Sequence, residues 1–312
     1  MAVDESPLRP YTASGLRGAL RRGEPMARHT SWRVGGPAER FYEPADLDDA
    51  AAYLRQLPEG EAVTWVGLGS NLLVRDGGIR GSVIVTNGVL SEITPVTATV
   101  IQVGAGVACA KVARYCANAG LSGAEFLIGI PGTIGGALAM NAGAFGGETW
   151  RLVINVDTID RRGHVTRRGA EQYETGYRSV RGPAGEWFVA AQLQLQSGDA
   201  EQGRARLKEL LARRTDLQPT GQPSCGSVFR NPPGDYAGRL IEASGLKGMR
   251  SGGAEVSRKH ANFIINDGTA SAADIESLIL RVRDTVERLQ GVRLVPEVRI
   301  VGEPAPAAGG GS

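Results

Sequence analysis

Cysteine is scarce in this 312-residue chain: Cys109, Cys116 and Cys225 are the three, and no C-x-x-C pair occurs among them. An odd number without paired spacing points to reduced thiols rather than a disulfide framework, and no metal site is indicated. Net charge is nearly absent too, with 35 Lys and Arg against 33 Asp and Glu. The concentrated basic face that a nucleic-acid partner requires is therefore not indicated. Residues 1–10 have no apolar stretch and include Asp4 and Glu5, which argues against a secretory leader and for a cytoplasmic protein. One long run, residues 126–147, lacks charge, but Pro131 and repeated glycines interrupt it. Each such glycine disfavours a helix by about 1 kcal/mol, so the run reads as buried loop and turn rather than a membrane span.

Glycine is what the chain has in excess. Its 44 residues are about twice the usual ~7% share, so many backbone positions must turn or press close to something. The length permits two domains, or one large α/β unit with an appended module. Residues 1–27 read as a leader with a short helix near residues 14–22, and residues 304–312 as a disordered Pro/Ala/Gly tail. Asp46 opens a helix that ends before Pro58. Strands are expected at 63–66, 83–86 and 99–103, and a helix at 107–119 stopped by Gly120. Val189, Ala191, Leu193 and Leu195 alternate with polar or small residues, the period of a half-buried strand in a mainly antiparallel region, 152–197. A charged helix at 201–216 marks the passage to a second domain. Ile275, Leu278, Ile279, Val282, Val286 and Leu289 share one helical face between a Ser271 cap and Gly291, and a last strand is expected at 292–301. The resulting division is 28–198 and 199–303.

Two glycine-rich loops are candidates for holding a phosphorylated cofactor. The first comprises Gly67, Leu68, Gly69, Ser70, Asn71 and Leu72 after a strand; the second includes Gly129, Pro131, Gly132, Gly135 and Gly136. Small residues let backbone N–H groups approach a pyrophosphate. Leu72 stands where a dinucleotide fingerprint needs its third glycine, and no GxxxxGK[ST] run exists. On spacing alone, tight turns in a glycine-rich fold explain the loops equally well.

The wording of longer blocks decides more. HTSWRVGGPA at 29–38, GLGSNLLV at 67–74, GAEFLIGIPGTIGGALAMNAGAFGGE at 123–148, Tyr177-Arg178-Ser179, CGSVFRNPPGDYAGRLIEASGLKG at 225–248 and Pro296-Glu297-Val298-Arg299 resemble the UDP-N-acetylenolpyruvoylglucosamine reductase family over nearly the whole chain. The resemblance implies an α+β protein with an FAD-binding fold of the vanillyl-alcohol oxidase (PCMH) type, in two subdomains, followed by a C-terminal α/β substrate domain. It implies non-covalent FAD, NADPH as hydride donor, and reduction of a UDP-linked enolpyruvyl sugar in peptidoglycan precursor synthesis. Both loops, with Asn141 and Arg299, are then expected to contact FAD. Arg178 matches the arginine that polarises the substrate carboxylate, Ser227 the proton donor, and Glu297 the carboxyl that assists Arg178. Tyr177, Arg214 and Asn231 match substrate positions.

Between Arg204 and His260 stand eleven Lys or Arg against five Asp or Glu, a surplus suited to an anionic ligand. Only six residues, 181–186, separate Val180 from Trp187, which resembles the short-loop subtype lacking a substrate-covering tyrosine. The expected species is a monomer or weak oligomer. Two other readings are a flavin oxidase of the same fold, which would require a covalent attachment His or Cys, and a silent nucleotide-sugar-binding protein, which would lack the reacting residues.

Overall fold

The computed structural model describes residues 15–306, so residues 1–14 of the expected leader and 307–312 of the expected tail lie outside the described residues. The first sheet has the strand order Ala19–Pro25, Pro37–Glu43, Ile79–Val85, Val63–Val66. The first pairing is antiparallel and the other two are parallel. Ala19–Pro25 corrects the helix expected there: Leu20 pairs with Tyr42 and Arg22 with Arg40 across the ladder. Residues 19–25 are thus an edge strand of this sheet. Helix α1 (Leu47–Gln56) starts where Asp46 accepts a hydrogen bond from Asp49 N, as a first-turn cap should. Asp49 itself is buried, and Tyr42 Oη donates to it at 2.6 Å.

The second sheet is antiparallel throughout, ordered Val165–Gly169, Val153–Asp160, Glu186–Gln194, Val100–Gly104, Ile93–Pro95. Its alternation matches the sequence pattern, since Val189, Ala191 and Leu193 are buried while their neighbours are more exposed. Helix α2 (Cys109–Asn118) and the short α3 (Ile134–Ala139) cover it, with Gly120 in the left-handed conformation just past α2. The uncharged run 126–147 is a partly buried series of turns and short elements around α3, with Pro131, Gly136 and Gly146 exposed. No helix among the described residues is long and apolar enough to cross a membrane.

Helix α4 (Ala200–Leu217) leads to the third unit, a small antiparallel sheet of Arg250–Ser251, Ala254–Val256 and Ile264–Asn266. It shares a core with α5 (Ala237–Ala243) and α6 (Ala272–Gln290), the latter begun by a Ser271–Asp274 capping box and ended by Gly291 at φ 69°. Two crossings bind this unit to the segments packed around the first sheet. Trp32, fully buried in the third unit's core, donates from Nε1 to Ile264 O at 2.8 Å, and Asn266 Nδ2 donates to Trp32 O at 2.8 Å. The final strand returns the favour: Arg299–Val301 pairs in parallel with Leu72–Val74. The expected strand at 292–301 is shorter than its apolar residues suggested. Residues 295–297 instead run against 228–230, with Arg230 N to Val295 O at 2.9 Å and Glu297 N to Val228 O at 2.7 Å.

Candidate active site

These crossings leave a cavity of about 650 Å³, within the range of cofactor and ligand pockets. Residues 67–72, 129–133, the end of α4, residues 224–227, Glu297 and Arg299 line it. The two glycine loops abut each other as well as the cavity. A Cβ on Gly67 would lie 2.3 Å from Thr133 Oγ1, and one on Gly132 would lie 2.9 Å from Ser70 Oγ. Gly69 is tighter still: at φ 67°, a Cβ would come within 1.9 Å of His29 O. Gly135 does not border the cavity; its N–H donates to Ala105 O at 2.8 Å and it packs α3 on Ala105.

Asn71 ties the first loop to the far end of the chain, donating from Nδ2 to Glu297 O at 3.0 Å, while Arg299 N donates to Asn71 O at 3.1 Å. Glu297 is thereby held at the cavity wall. Its Oε1 lies 2.9 Å from Arg178 Nε, an ion pair whose angle departs from that of a hydrogen bond. Burial pushes the Glu297 carboxyl above the usual range, against the opposing pull of Arg178 and Arg230. Arg178 is anchored by its other nitrogens, Nη2 to Gly143 O at 2.8 Å and Nη1 to Asn141 O at 3.4 Å.

Ser227 follows Gly226, whose φ of 72° turns the chain toward the cavity. The turn is clamped by a residue that the sequence did not single out. Asn262, buried, accepts at Oδ1 from Phe229 N at 3.0 Å and donates from Nδ2 to Phe229 O at 2.8 Å. Cys225 is buried behind the first loop, its thiol directed at Leu72 O at 3.6 Å and pushed up to about 12 by burial.

Among the described residues, neither Arg213 nor Arg214 at the end of α4 pairs with a carboxylate, and both line the cavity. Burial lowers the Arg214 pKa, and its Nε donates to Gln218 Oε1 at 3.3 Å. Tyr177 and Asn231 lie outside the cavity wall and meet each other, Asn231 N donating to Tyr177 Oη at 3.4 Å. Asn231 Oδ1 accepts from Ala237 N at 3.0 Å, which caps the start of α5. Asn141, expected as a cofactor contact, is buried behind Arg178 and absent from the wall.

Comparison with known proteins places this geometry. Residues 38–169 match the FAD binding domain family, and residues 218–301 match the C-terminal domain of UDP-N-acetylenolpyruvoylglucosamine reductase. A UDP-N-acetylenolpyruvoylglucosamine reductase from Alkalilimnicola ehrlichii is 64% identical over 286 residues, covering 92% of this chain and 96% of its own length. The chain belongs to the UDP-N-acetylenolpyruvoylglucosamine reductase family. A second reductase of that name, from Methylococcus capsulatus, is 62% identical and covers 97% of this chain and 99% of its own. The crystal structure of the Thermus caldophilus reductase superposes with a TM-score of 0.76 at 32% identity, covering 91% of this chain and 99% of that one. Likeness to 6-hydroxy-D-nicotine oxidase from Arthrobacter nicotinovorans, TM-score 0.54 at 11% identity, concerns the fold alone. The fold of this reductase is the α+β, FAD-binding vanillyl-alcohol oxidase type with an added C-terminal unit.

The cavity of this reductase fits FAD. Thr133 Oγ1 is buried at its wall with no protein partner, which leaves a hydroxyl free for a ligand oxygen or nitrogen. Glycines 67, 69, 129 and 132 expose backbone there without side chains, and two unpaired arginines stand at the end of α4. That combination suits a pyrophosphate. Sequence reasoning missed Thr133, although it lies inside the second loop, because a threonine among glycines carries no periodic signal. Arg213 was passed over because only its neighbour matched a known position.

Proposed function

We infer that Ser227, Arg178 and Glu297 divide the work of reducing the enolpyruvyl group of UDP-N-acetylenolpyruvoylglucosamine. The chain is an FAD-dependent oxidoreductase of peptidoglycan precursor synthesis, with NADPH as reductant and a UDP-sugar as substrate. FAD, when bound, supplies the hydride chemistry between NADPH and the terminal enolpyruvyl carbon. Negative charge then develops on the substrate carboxylate as an enolate, and fixed donors must meet it. Arg178 offers a planar guanidinium already aimed by Gly143 O and Asn141 O. Glu297, 2.9 Å from Arg178 Nε, holds the guanidinium in place, while burial pushes its own carboxyl pKa upward against the pull of Arg178 and Arg230. The Ser227 hydroxyl delivers the proton to the carbon beside the carboxylate, which is far more basic than a carboxylate oxygen.

In this reading Gly67, Gly69, Ser70, Asn71, Leu72, Gly129, Pro131, Gly132, Gly136 and Arg299 form the FAD wall. Arg214 faces a diphosphate, and Tyr177 with Asn231 guides the substrate from outside. The division into 28–198 and 199–303, non-covalent FAD, a cytoplasmic location and a monomeric or weakly associated state belong to the same reading.

One observation carries it: Arg178, Glu297 and Ser227, from three distant stretches, line the same cavity as both glycine loops. The test is Ser227→Ala, followed in separate half-reactions. Flavin reduction by NADPH should stay within about twofold, while reoxidation by the enolpyruvyl substrate should fall by roughly 10²- to 10⁴-fold. Equal slowing of both steps would remove Ser227 from the proton transfer.

A further inference from the structure

Three non-glycine residues at or beside the cavity hold left-handed backbone conformations, Asn141 at φ 45°, Phe145 at φ 52° and Arg178 at φ 52°, and the first and last of them are in contact. Asparagine adopts that region comparatively easily, but for arginine it is sterically disfavoured and persists only where the surroundings impose it. The surroundings of Arg178 lead back to Asn141. Asn141 Nδ2 donates to Gly176 O at 3.1 Å, fixing the hairpin from whose turn Arg178 projects, and Asn141 O accepts from Arg178 Nη1 at 3.4 Å. The amide is itself locked, since Nδ2 also reaches Glu148 Oε2 at 3.3 Å and Oδ1 accepts from Trp150 N at 3.1 Å. With 3% of its surface exposed, Asn141 has both side-chain polar atoms engaged by protein and does not reach the cavity wall.

We propose that Asn141 is a positioning residue for Arg178: its side chain pins the hairpin and its carbonyl steers the guanidinium toward Glu297. This rests on the reading of Arg178 as the group that meets the substrate carboxylate, and it replaces the FAD contact expected from the sequence. A free Arg178 would sample several rotamers, and a reacting group displaced by about 1 Å can cost roughly 10²-fold in rate. Asn141 keeps the guanidinium in one of them.

The experiment uses the FAD-loaded enzyme and its apoprotein with Asn141→Gly, Asn141→Asp, Arg178→Lys and the Asn141→Gly, Arg178→Lys double variant. Glycine accepts the left-handed backbone while deleting the amide. Aspartate keeps the acceptor for Trp150 N but loses the donor to Gly176 O, which provides a second variant should the glycine form fold poorly. Three quantities are read: FAD dissociation constant by titration of apoprotein, flavin reduction by NADPH, and reoxidation by the enolpyruvyl substrate. Both single Asn141 variants should slow reoxidation by roughly tenfold or more, with FAD affinity and NADPH reduction within about twofold of native. The double variant should be no more than about twofold slower than Arg178→Lys alone, because effects that pass through one group do not add. A tenfold loss of FAD affinity with normal reoxidation of the bound flavin would overturn the proposal in favour of a cofactor role. Additive losses in the double variant would also overturn it. Normal reoxidation in the Asn141 variants, with slow reoxidation in Arg178→Lys, would sink the positioning role alone. Normal reoxidation in Arg178→Lys would remove the reading of Arg178 and this inference together.

Discussion

Arg178 Nε and Glu297 Oε1 lie 2.9 Å apart, joining the hairpin after Gly176 to the segment that precedes the last strand. Both side chains are largely buried, so their charges interact in a medium less screening than water. The burial that strengthens the attraction also penalises the Glu297 carboxylate, and for Glu297 the penalty is the larger effect. A buried pair of this kind is a poor stabiliser and a useful charge-tuning device.

Glu297 therefore gives a pH prediction with a definite sign. Its folded-state pKa is raised, so its contribution to stability is fully present below the ordinary glutamate value and is lost as pH rises through the raised one. Glu297→Gln removes that titration. The melting temperature of native protein relative to Glu297→Gln should be flat in acid and should decline as pH rises past the ordinary carboxylate range. Paired thermal melts across pH would show this, and a difference that instead grew with pH would mean that Arg178 and Arg230 outweigh burial.

Thr133 separates cofactor binding from folding. Its buried Oγ1 has no protein partner, a situation that generally costs stability until a ligand supplies the bond. Thr133→Val keeps the shape and deletes the hydroxyl. The apoprotein should melt at the same temperature or higher, while FAD affinity falls by about two- to twelvefold, equivalent to a hydrogen bond of ~0.5–1.5 kcal/mol. FAD titration of the apoprotein measures the second quantity; unchanged affinity would take the hydroxyl away from the cofactor.

Much of this was legible in the chain, for physical reasons that differ between elements. The strand at 186–194 and helix α6 announce themselves through period, because one face of each is buried and the other is not. Arg178, Ser227 and Glu297 stand out only through block resemblance, since no local period marks side chains that reach one cavity from stretches up to 119 positions apart in sequence. Residues 19–25 misled because Leu, Arg and Ala favour helix locally, whereas pairing with 37–43 decides the outcome. Asn141 sits inside a cofactor-loop block, and nothing in the sequence signals that its side chain bonds into the Arg178 hairpin. Asn262 gave no signal at all, because a clamp on a turn 33 residues away leaves no pattern in sequence.

The two glycines of the first loop should respond unequally to alanine. At Gly67 the new Cβ meets Thr133 Oγ1, a side-chain atom that a rotation can move, whereas at Gly69 it meets the fixed carbonyl of His29 and must also hold φ 67°. Gly69→Ala should cost about 1–3 kcal/mol or more in stability and weaken FAD binding with it. Gly67→Ala should cost less and act mainly through Thr133. Chemical denaturation of both apoproteins orders them, and a larger loss at Gly67 would contradict the backbone argument.

Trp32 tests whether the third unit and the first sheet fold as one body. The residue belongs by sequence to the segment leading into the first sheet but is buried in the core of α5 and α6, with its indole bonded to Ile264 O and its own carbonyl bonded to Asn266 Nδ2. Trp32→Phe leaves the Ile264 carbonyl without the indole donor, a loss of about 1–3 kcal/mol, and Trp32→Ala adds a cavity, for a total near 3–5 kcal/mol. Because the parallel pairing of Arg299–Val301 with Leu72–Val74 provides a second crossing, the loss should lower one common transition. Fluorescence of the remaining tryptophans Trp65, Trp150 and Trp187, all outside the third unit, should then shift to lower denaturant together with far-UV circular dichroism. If those tryptophans kept the native midpoint while part of the circular dichroism signal melted early, the third unit would be unfolding by itself, and Trp32 would anchor that unit without coupling it to the cofactor sheets.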